Sequence, residues 1–367
     1  MKLRYKITSG VFGLLFITVA VLAAAIGYQS PCPTPASESA TDTSYQAIQY
    51  RCYGAPEILE LAYIEKPTPG DDEVLIKIHA ASVNPLDWHF MRGSPYFIRL
   101  FLGIGAPDDP RLGVDFAGTV EAVGADVTRL KPGDRVFGAR NGAFAEYLLS
   151  PEDRTIVPIP ENADFEQTAA LPIAAITALQ ALRDHGQLQA GQRVLINGAS
   201  GGVGTYAVQI AKAMGAEVTG VSSGRNLDMV RSIGADHVLN YKEEDYTQSG
   251  QQFDLIVDMV GNHSPLANRQ VMTPNGKLVI VGGAKGNWIA PMIGAMQAAL
   301  YGNFVQQDFI SFTAVLDRED MEVLAEMMAD GKLRSVIDRR FSLAQAAEAM
   351  AYSESGRARG KIIINID

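Results

Sequence analysis

The chain is poor in the residues that staple or metallate small proteins. Of 367 residues only Cys32 and Cys52 are cysteine. No C-x-x-C pair or Cys/His cluster surrounds them, which excludes a disulfide framework and a zinc-finger pattern. One Cys32–Cys52 bridge is open to an exported protein, although a single bridge adds little to a body this large. Basic charge is scarce too: 31 Lys and Arg against 41 Asp and Glu leave a net charge of -10. A nucleic-acid partner needs a clustered excess of cations, and none is found here. Internal repeats and low-complexity blocks are missing from the body. What remains is a globular composition, 47% hydrophobic and 20% charged, with apolar material for two cores rather than one.

Charge is missing altogether from Ile7 to Tyr28, after Lys2, Arg4 and Lys6. As a helix rising about 1.5 Å per residue, this run is long enough for a hydrocarbon layer of about 30 Å. The layout fits a cleaved signal peptide, with Ala23, Ala24 and Ala25 as small residues for a peptidase, or an uncleaved anchor. The length of the run favours the anchor. Residues 1–28 are therefore expected to form an N-terminal transmembrane segment, giving single-pass membrane localisation. Cys32 does not read as a lipid-attachment site, because no small-residue run precedes it. Residues 29–44 are rich in Pro, Ser, Thr and Ala, the composition of an extended linker.

From Tyr45 the texture is β. EVLIKIHAASV (Glu73 to Val83), DFAGTVEAVG (Asp115 to Gly124) and AFAEYLLS (Ala143 to Ser150) are short runs rich in β-branched and aliphatic residues, separated by Pro-Gly and Gly-rich turns. After Phe165 an alanine-rich helical stretch leads into strand-turn-helix alternation: RVLINGA, TYAVQIAKAMGA, EVTGVSS, then HVLNY, FDLIVDMV, KLVIVGG and DFISFTA. That alternation implies a doubly wound parallel sheet covered by helices. KIIINI (Lys361 to Ile366) is a last strand that need not belong to it.

The junction after RVLINGA carries the chemistry. Ser200, Gly201, Gly202, Val203 and Gly204 lie between that strand and a helix expected to start near Thr205. Glycines there permit a tight turn and a close approach to a pyrophosphate, whose charge the exposed N–H groups and helix dipole stabilise. Glycines serving only helix–sheet packing are the plainer alternative. At the end of the next strand an NAD site carries a carboxylate for the ribose 2′-hydroxyl, whereas here Ser222, Ser223 and Arg225 stand. A cation and two hydroxyls suit a 2′-phosphate, which favours NADPH. Tyr241, ending the third strand, is a further candidate for the adenine end or a phosphate oxygen.

With these residues placed, the chain resembles the quinone oxidoreductase/ζ-crystallin branch of the medium-chain dehydrogenases/reductases. The resemblance runs from Ala47 to Ile366. Its most specific stretch runs from Gly191 and Gln192 through Ser200, Gly201, Gly202 and Gly204 to Gln209 and Lys212. Ser82-Val-Asn84-Pro85-Leu-Asp87, Gly113-Val-Asp115-Phe-Ala-Gly118 and Gly133-Asp134-Arg135-Val136 are similar to its GroES-like domain. The resemblance implies a GroES-like, β-rich catalytic domain over 45–165 and 315–367 and a Rossmann NADP-binding domain over 166–314, with the active site between them. A homodimer through the last strand of the sheet is implied as well.

Zinc-dependent relatives carry a cysteine near the Asn84 segment and a His-Glu pair where this chain has Val114-Asp115, so no metal is expected. Without a Lewis acid, an acceptor that delocalises the incoming charge is the better substrate. The expected activity is hydride transfer from NADPH to a small-molecule quinone or enone. From the family pattern, Asn84, Asp87 and His89 are the catalytic candidates, His89 standing where many relatives have tyrosine. Pro85, Thr177, Gly282 and Gly283 are added to the cofactor site, with Arg357 or Arg359 as further reach. His89 as an inert wall residue remains the alternative. So do an alkenal double-bond reductase and a nonenzymatic NADPH-binding membrane scaffold. The apolar stretch from Gly286 to Asn303 fits a pocket wall, a dimer contact or core. By the positive-inside tendency the body would lie outside the cytoplasm, which conflicts with the compartment of NADPH, so the side of the membrane stays open.

Overall fold

Runs of alternating apolar residues broken by Gly and Pro become strands of two large sheets and one separate hairpin, and the chain passes from one large sheet to the other and back. The structure, a computed structural model, describes residue 18 and residues 20–34, 40–283 and 286–366. A hairpin of β1 (Ser44–Gln49) and β2 (Glu60–Glu65) precedes β3 (Glu73–Val83), β4 (Asp115–Val123), β5 (Arg135–Ala139), β6 (Tyr147–Pro151) and β7 (Ile156–Pro158). Then follow β8 (Arg193–Asn197), β9 (Glu217–Ser222), β10 (His237–Asn240), β11 (Phe253–Asp258), β12 (Met272–Ile280) and β13 (Asp308–Ser311), and finally β14 (Ile337–Ser342) and β15 (Lys361–Asn365).

The first sheet has the order β14-β15-β3-β4-β5-β7, with β6 also paired to β3. β3 is thus flanked antiparallel by β15, β4 and β6, which explains why its eleven residues include no exposed one. Late-coming β15 contributes Ile362, Ile363 and Ile364, each at most 2% exposed, and each burial is worth about 1.5–3 kcal/mol. The second sheet is parallel, in the order β10-β9-β8-β11-β12-β13. Its strand order reverses between β8 and β11, and the crevice at the carboxyl ends of those strands is where such sheets take ligands.

Three helices matter for the site: α1 (Pro85–Arg92), α2 (Pro172–Gln180) and α3 (Gly202–Ala213). α3 begins at Gly202 rather than near Thr205, because Gly201 is still extended (φ -84, ψ 178) and acts as N-cap. β12 starts earlier than the apolar pattern suggests, and a register shift against β11 accommodates Pro274.

The expected transmembrane segment is overturned, and the single-pass membrane localisation with it. Among the described residues no helix is long and apolar enough to cross a membrane. Residues 1–17 and 19 of the proposed span lie outside the described residues. Its described end, helical over 20–27, is docked on the body. Arg99, only 2% exposed, donates from Nη1 to the carbonyl oxygens of Ile26 (3.2 Å), Gly27 (3.5 Å) and Tyr28 (2.9 Å). These are carbonyls that a helix end leaves without partners. Downstream, Gln29 Nε2 donates to the Tyr53 carbonyl, Ser30 N–H donates to the Gly105 carbonyl at 2.9 Å, and Cys32 is bridged to Cys52. The start of the 29–44 segment is therefore tied to the body, while 35–39 lie outside the described residues.

Candidate functional site

β8 ends on a turn whose glycines do two different jobs. Gly198 has a positive φ of 92°, open to glycine at little cost. At Gly204 a Cβ would meet the Gly198 carbonyl oxygen at 2.1 Å, so helix and turn pack backbone to backbone there. At Gly201 a Cβ would find nothing nearer than that same oxygen, at 3.5 Å. The turn is closed below and open above, a cradle that a phosphate group fits. The free N–H groups of the first turn of α3 point their dipole at it. Val203 packs its side chain against the core below.

The end of β9 supplies the second subsite. Ser222 is buried, Ser223 half-buried and Arg225 exposed. Arg225 Nη2 donates to the Arg357 carbonyl at 3.0 Å, which holds the guanidinium beside the strand end. Asn226, which the sequence pattern did not single out, ties this subsite to the turn. Its Nδ2 donates to Ser200 Oγ at 3.0 Å and to Ser223 Oγ at 3.2 Å, and its buried Oδ1 has no partner. Tyr241 is 53% exposed, and its N–H donates to the Ser222 carbonyl at 3.1 Å, so the ring flanks the same strand end.

Across the crevice, Asn84 caps α1 and forms a reciprocal box with Asp87. Asp87 Oδ2 accepts from the Asn84 N–H at 2.6 Å, while Oδ1 is buried without a partner. Burial raises the Asp87 pKa to about 8, so its carboxyl is mostly protonated at neutral pH. Asn84 Nδ2 donates to Asp115 Oδ2 at 2.8 Å, which also accepts from Ser82 Oγ at 2.9 Å. Asp115 Oδ1 accepts from the N–H of Ile173, at the start of α2, at 3.1 Å. Lys361 Nζ donates to Asn84 Oδ1 and lies 3.4 Å from Asp115 Oδ2. Burial raises the Asp115 pKa, against the pull of Lys361, and lowers that of Lys361. The polar atoms of Asn84 and Asp87 are thus turned inward, into a buried network. Lys361 and the role of Asp115 were missed. The one available signal was a lysine heading an otherwise isoleucine-rich strand.

His89 lies on α1 with its ring 3.8 Å from that of Trp88. Its Nδ1 is 2.6 Å from the Ser94 carbonyl oxygen, which makes Nδ1 the protonated nitrogen and leaves Nε2 for a ligand. Burial lowers its pKa below the ordinary imidazole value, so the neutral ring prevails and Nε2 then accepts rather than donates. Pro85 fills the first turn of α1 and is exposed.

Thr177 Oγ1 donates to the Ile173 carbonyl within α2. Gly282 and Gly283 follow β12 where a Cβ would strike the backbone oxygens of Met259 (2.1 Å) and Pro291 (2.5 Å), so packing alone requires glycine at both. The stretch from Gly286 bridges the two halves: Asn287 Oδ1 accepts from Ser94 Oγ at 2.9 Å, the Asn287 carbonyl accepts from Tyr96 N–H at 2.7 Å, and Trp288 meets the Tyr96 ring edge-on at 4.9 Å. Beyond it, Ile293, Met296 and Leu300 are exposed, so core packing is not their use.

Two family models match the chain, an alcohol dehydrogenase GroES-like domain over residues 70–161 and a zinc-binding dehydrogenase over residues 233–364. Among the described residues no three His, Cys, Asp or Glu side chains gather as a metal site. A chloroplastic quinone oxidoreductase of Triphysaria versicolor is 36% identical over 339 residues, covering 87% of this chain and 98% of that one. A trans-enoyl reductase of Aspergillus terreus is 36% identical over 330 residues, covering 81% and 87%. The solved quinone oxidoreductase from Coxiella burnetii superposes with a TM-score of 0.78 at 30% identity, over 88% of this chain and all of that one (100%).

Proposed function

Because the chain belongs to the zinc-independent quinone oxidoreductase branch of the medium-chain dehydrogenases/reductases, and is an oxidoreductase with a nicotinamide cofactor, we propose that it uses NADPH to reduce a quinone or enone. The observation that carries the choice of nucleotide is the strand end at Ser222, Ser223 and Arg225, cationic and free of carboxylate, joined by Asn226 to the open glycine turn. Ser200, Gly201, Gly202, Val203 and Gly204 would hold the pyrophosphate. Ser222, Ser223, Arg225 and Tyr241 would hold the 2′-phosphate end. Thr177, Pro85, Gly282 and Gly283 would border the nicotinamide half.

NADPH supplies the hydride, and the protein positions the acceptor and stabilises the charge that arrives with it. Asn84 and Asp87 act in this reading as positioning residues for α1. His89 borders the acceptor, and as a neutral ring it orients a substrate hydroxyl or water rather than donating to the acceptor oxygen. The reading divides the chain into a GroES-like part at 45–165 and 315–367 around a Rossmann part at 166–314. It also expects a homodimer, supported by the position of β13 as the outermost strand of the parallel sheet among the described residues.

The test is NADPH oxidation by the full chain with quinones, enones, simple ketones and alcohols, beside NADPH and NADH binding. Turnover confined to conjugated acceptors is expected. Turnover of simple ketones alone, or tight NADPH binding with no turnover, would refute it. The similarity to a trans-enoyl reductase favours a second reading, reduction of an alkenal or enoyl double bond, which the same panel separates by product.

A further inference from the structure

Lys361 has no part in the roles assigned above, yet its placement is costly. An ammonium taken out of water needs compensation of several kcal/mol, and a well-packed apolar residue is often no less stable at such a position. Lys361 is 2% exposed and Asp115 is fully buried. Asp115 is already supplied by Ser82, Asn84 and Ile173, so it does not depend on the lysine for hydrogen bonds.

What the lysine does is span the crevice. The residue before it, Gly360, donates its N–H to the Ser200 carbonyl at 2.9 Å and pairs with Gly201 as an isolated bridge. Gly360 has a φ of 92°, and a Cβ there would strike the Val336 carbonyl oxygen at 2.1 Å, so the chain is held closely where it passes the turn. The stem of Lys361 then runs under Gly202, where a Cβ would lie 3.2 Å from its Cδ. Its ammonium ends on Asn84 Oδ1, the cap of the helix that carries Trp88 and His89. One side chain thus touches the nucleotide turn along its length and the acceptor wall at its tip.

We propose that Lys361 is a positioning residue for hydride transfer, a strut that sets the separation between the nucleotide turn and the wall formed by α1. The proposal rests on the chain being an NADPH-dependent reductase. Transfer between two bound groups is steeply sensitive to their separation, and a displacement of about 1 Å costs on the order of a hundredfold in rate. Pyrophosphate binding at Gly201 and Gly202 does not need the ammonium, so affinity and rate part company when it is removed.

Lys361→Met keeps the stem and removes the charge. In the full-length enzyme it should lower kcat by roughly 10–100-fold while leaving the NADPH Kd within about threefold. The primary isotope effect with NADPH deuterated at C4 should rise as hydride transfer becomes rate-limiting. A merely structural lysine would lower Tm but leave kcat and the isotope effect of the folded enzyme unchanged, and that result overturns the proposal. Should Lys361→Met fail to fold, Lys361→Arg keeps the charge but replaces the point donor by a longer planar fork. It should show the same split, and an unchanged kcat overturns the proposal there too. Wild-type protein without turnover on any acceptor defeats the parent reading and this inference together. Wild-type turnover with an unaltered variant defeats this inference alone.

Discussion

Replacing Asp87 by Asn should make the protein more stable, and increasingly so as the pH rises. The wild-type carboxyl is buried, with a pKa of about 8 against an ordinary value of 3.8. Between those values the unfolded chain has released the proton while the folded chain still holds it. The folded state then binds more protons, so stability falls as pH rises, by up to about 1.4 kcal/mol per unit. Asparagine mimics the protonated acid: its side-chain oxygen can accept from the Asn84 N–H, and its NH2 occupies the place of the unpartnered Oδ1. From pH 5.5 to 7.5 the variant should therefore gain about 2–3 kcal/mol over wild type. Asp115 and Lys361 share the cluster and feel the Asp87 charge, so the difference reports Asp87 together with its coupling to them. Urea unfolding at pH 5.5, 6.5 and 7.5 measures it. Parallel stability profiles would show that Asp87 is ionised in the folded state, and the reasoning would fail.

Arg225→Ala should lower the NADPH to NADH ratio of kcat/KM by roughly tenfold or more, and an unchanged ratio would remove the guanidinium from the phosphate site. Gly204→Ala drives a Cβ into the Gly198 carbonyl and should cost about 1–3 kcal/mol, read as a drop in Tm. Gly201→Ala should leave Tm unchanged yet weaken NADPH binding in a fluorescence titration, and equal binding would show that nothing docks on that turn. Arg99→Met removes the donor that caps the carbonyls of Ile26, Gly27 and Tyr28. It should cost about 1–3 kcal/mol and open residues 20–34 to limited proteolysis, whereas unaltered stability and cleavage would refute the docking.

The glycine turn was legible because its meaning lies in local order: a strand, a tight turn and a helix follow one another within a few residues. The cluster of Asn84, Asp115 and Lys361 was not, since Asn84 and Lys361 stand 277 residues apart and no periodicity announces a pair that only tertiary folding joins. β14 escaped notice for a related reason. Its sequence, Ile-Asp-Arg-Arg-Phe-Ser, carries the charges that an edge strand tolerates, and so lacks an apolar alternation. The N-terminal run misled because hydropathy records how apolar a segment is, not how long a helix it forms, and among the described residues no helix is long and apolar enough to cross a membrane. Arg99, which ties down the end of that run, lies 71 residues from the last carbonyl it caps. Asn226 was hidden behind the more conspicuous arginine beside it.

The pairing of β15 with β3 also sets an order of events during synthesis. β3 emerges early and finds β4 and β6 soon afterwards, but the edge destined for β15 stays open until the whole parallel sheet has been made. Domains tend to fold as units while the ribosome is still working, so the later-encoded body can be complete before the earlier one is closed. Through that interval the end of β3 that β15 pairs, Ala80 to Val83, presents bare amides and carbonyls, which invites pairing with another nascent chain. The growing polypeptide therefore has most need of a chaperone late in translation, when most of its mass is already folded.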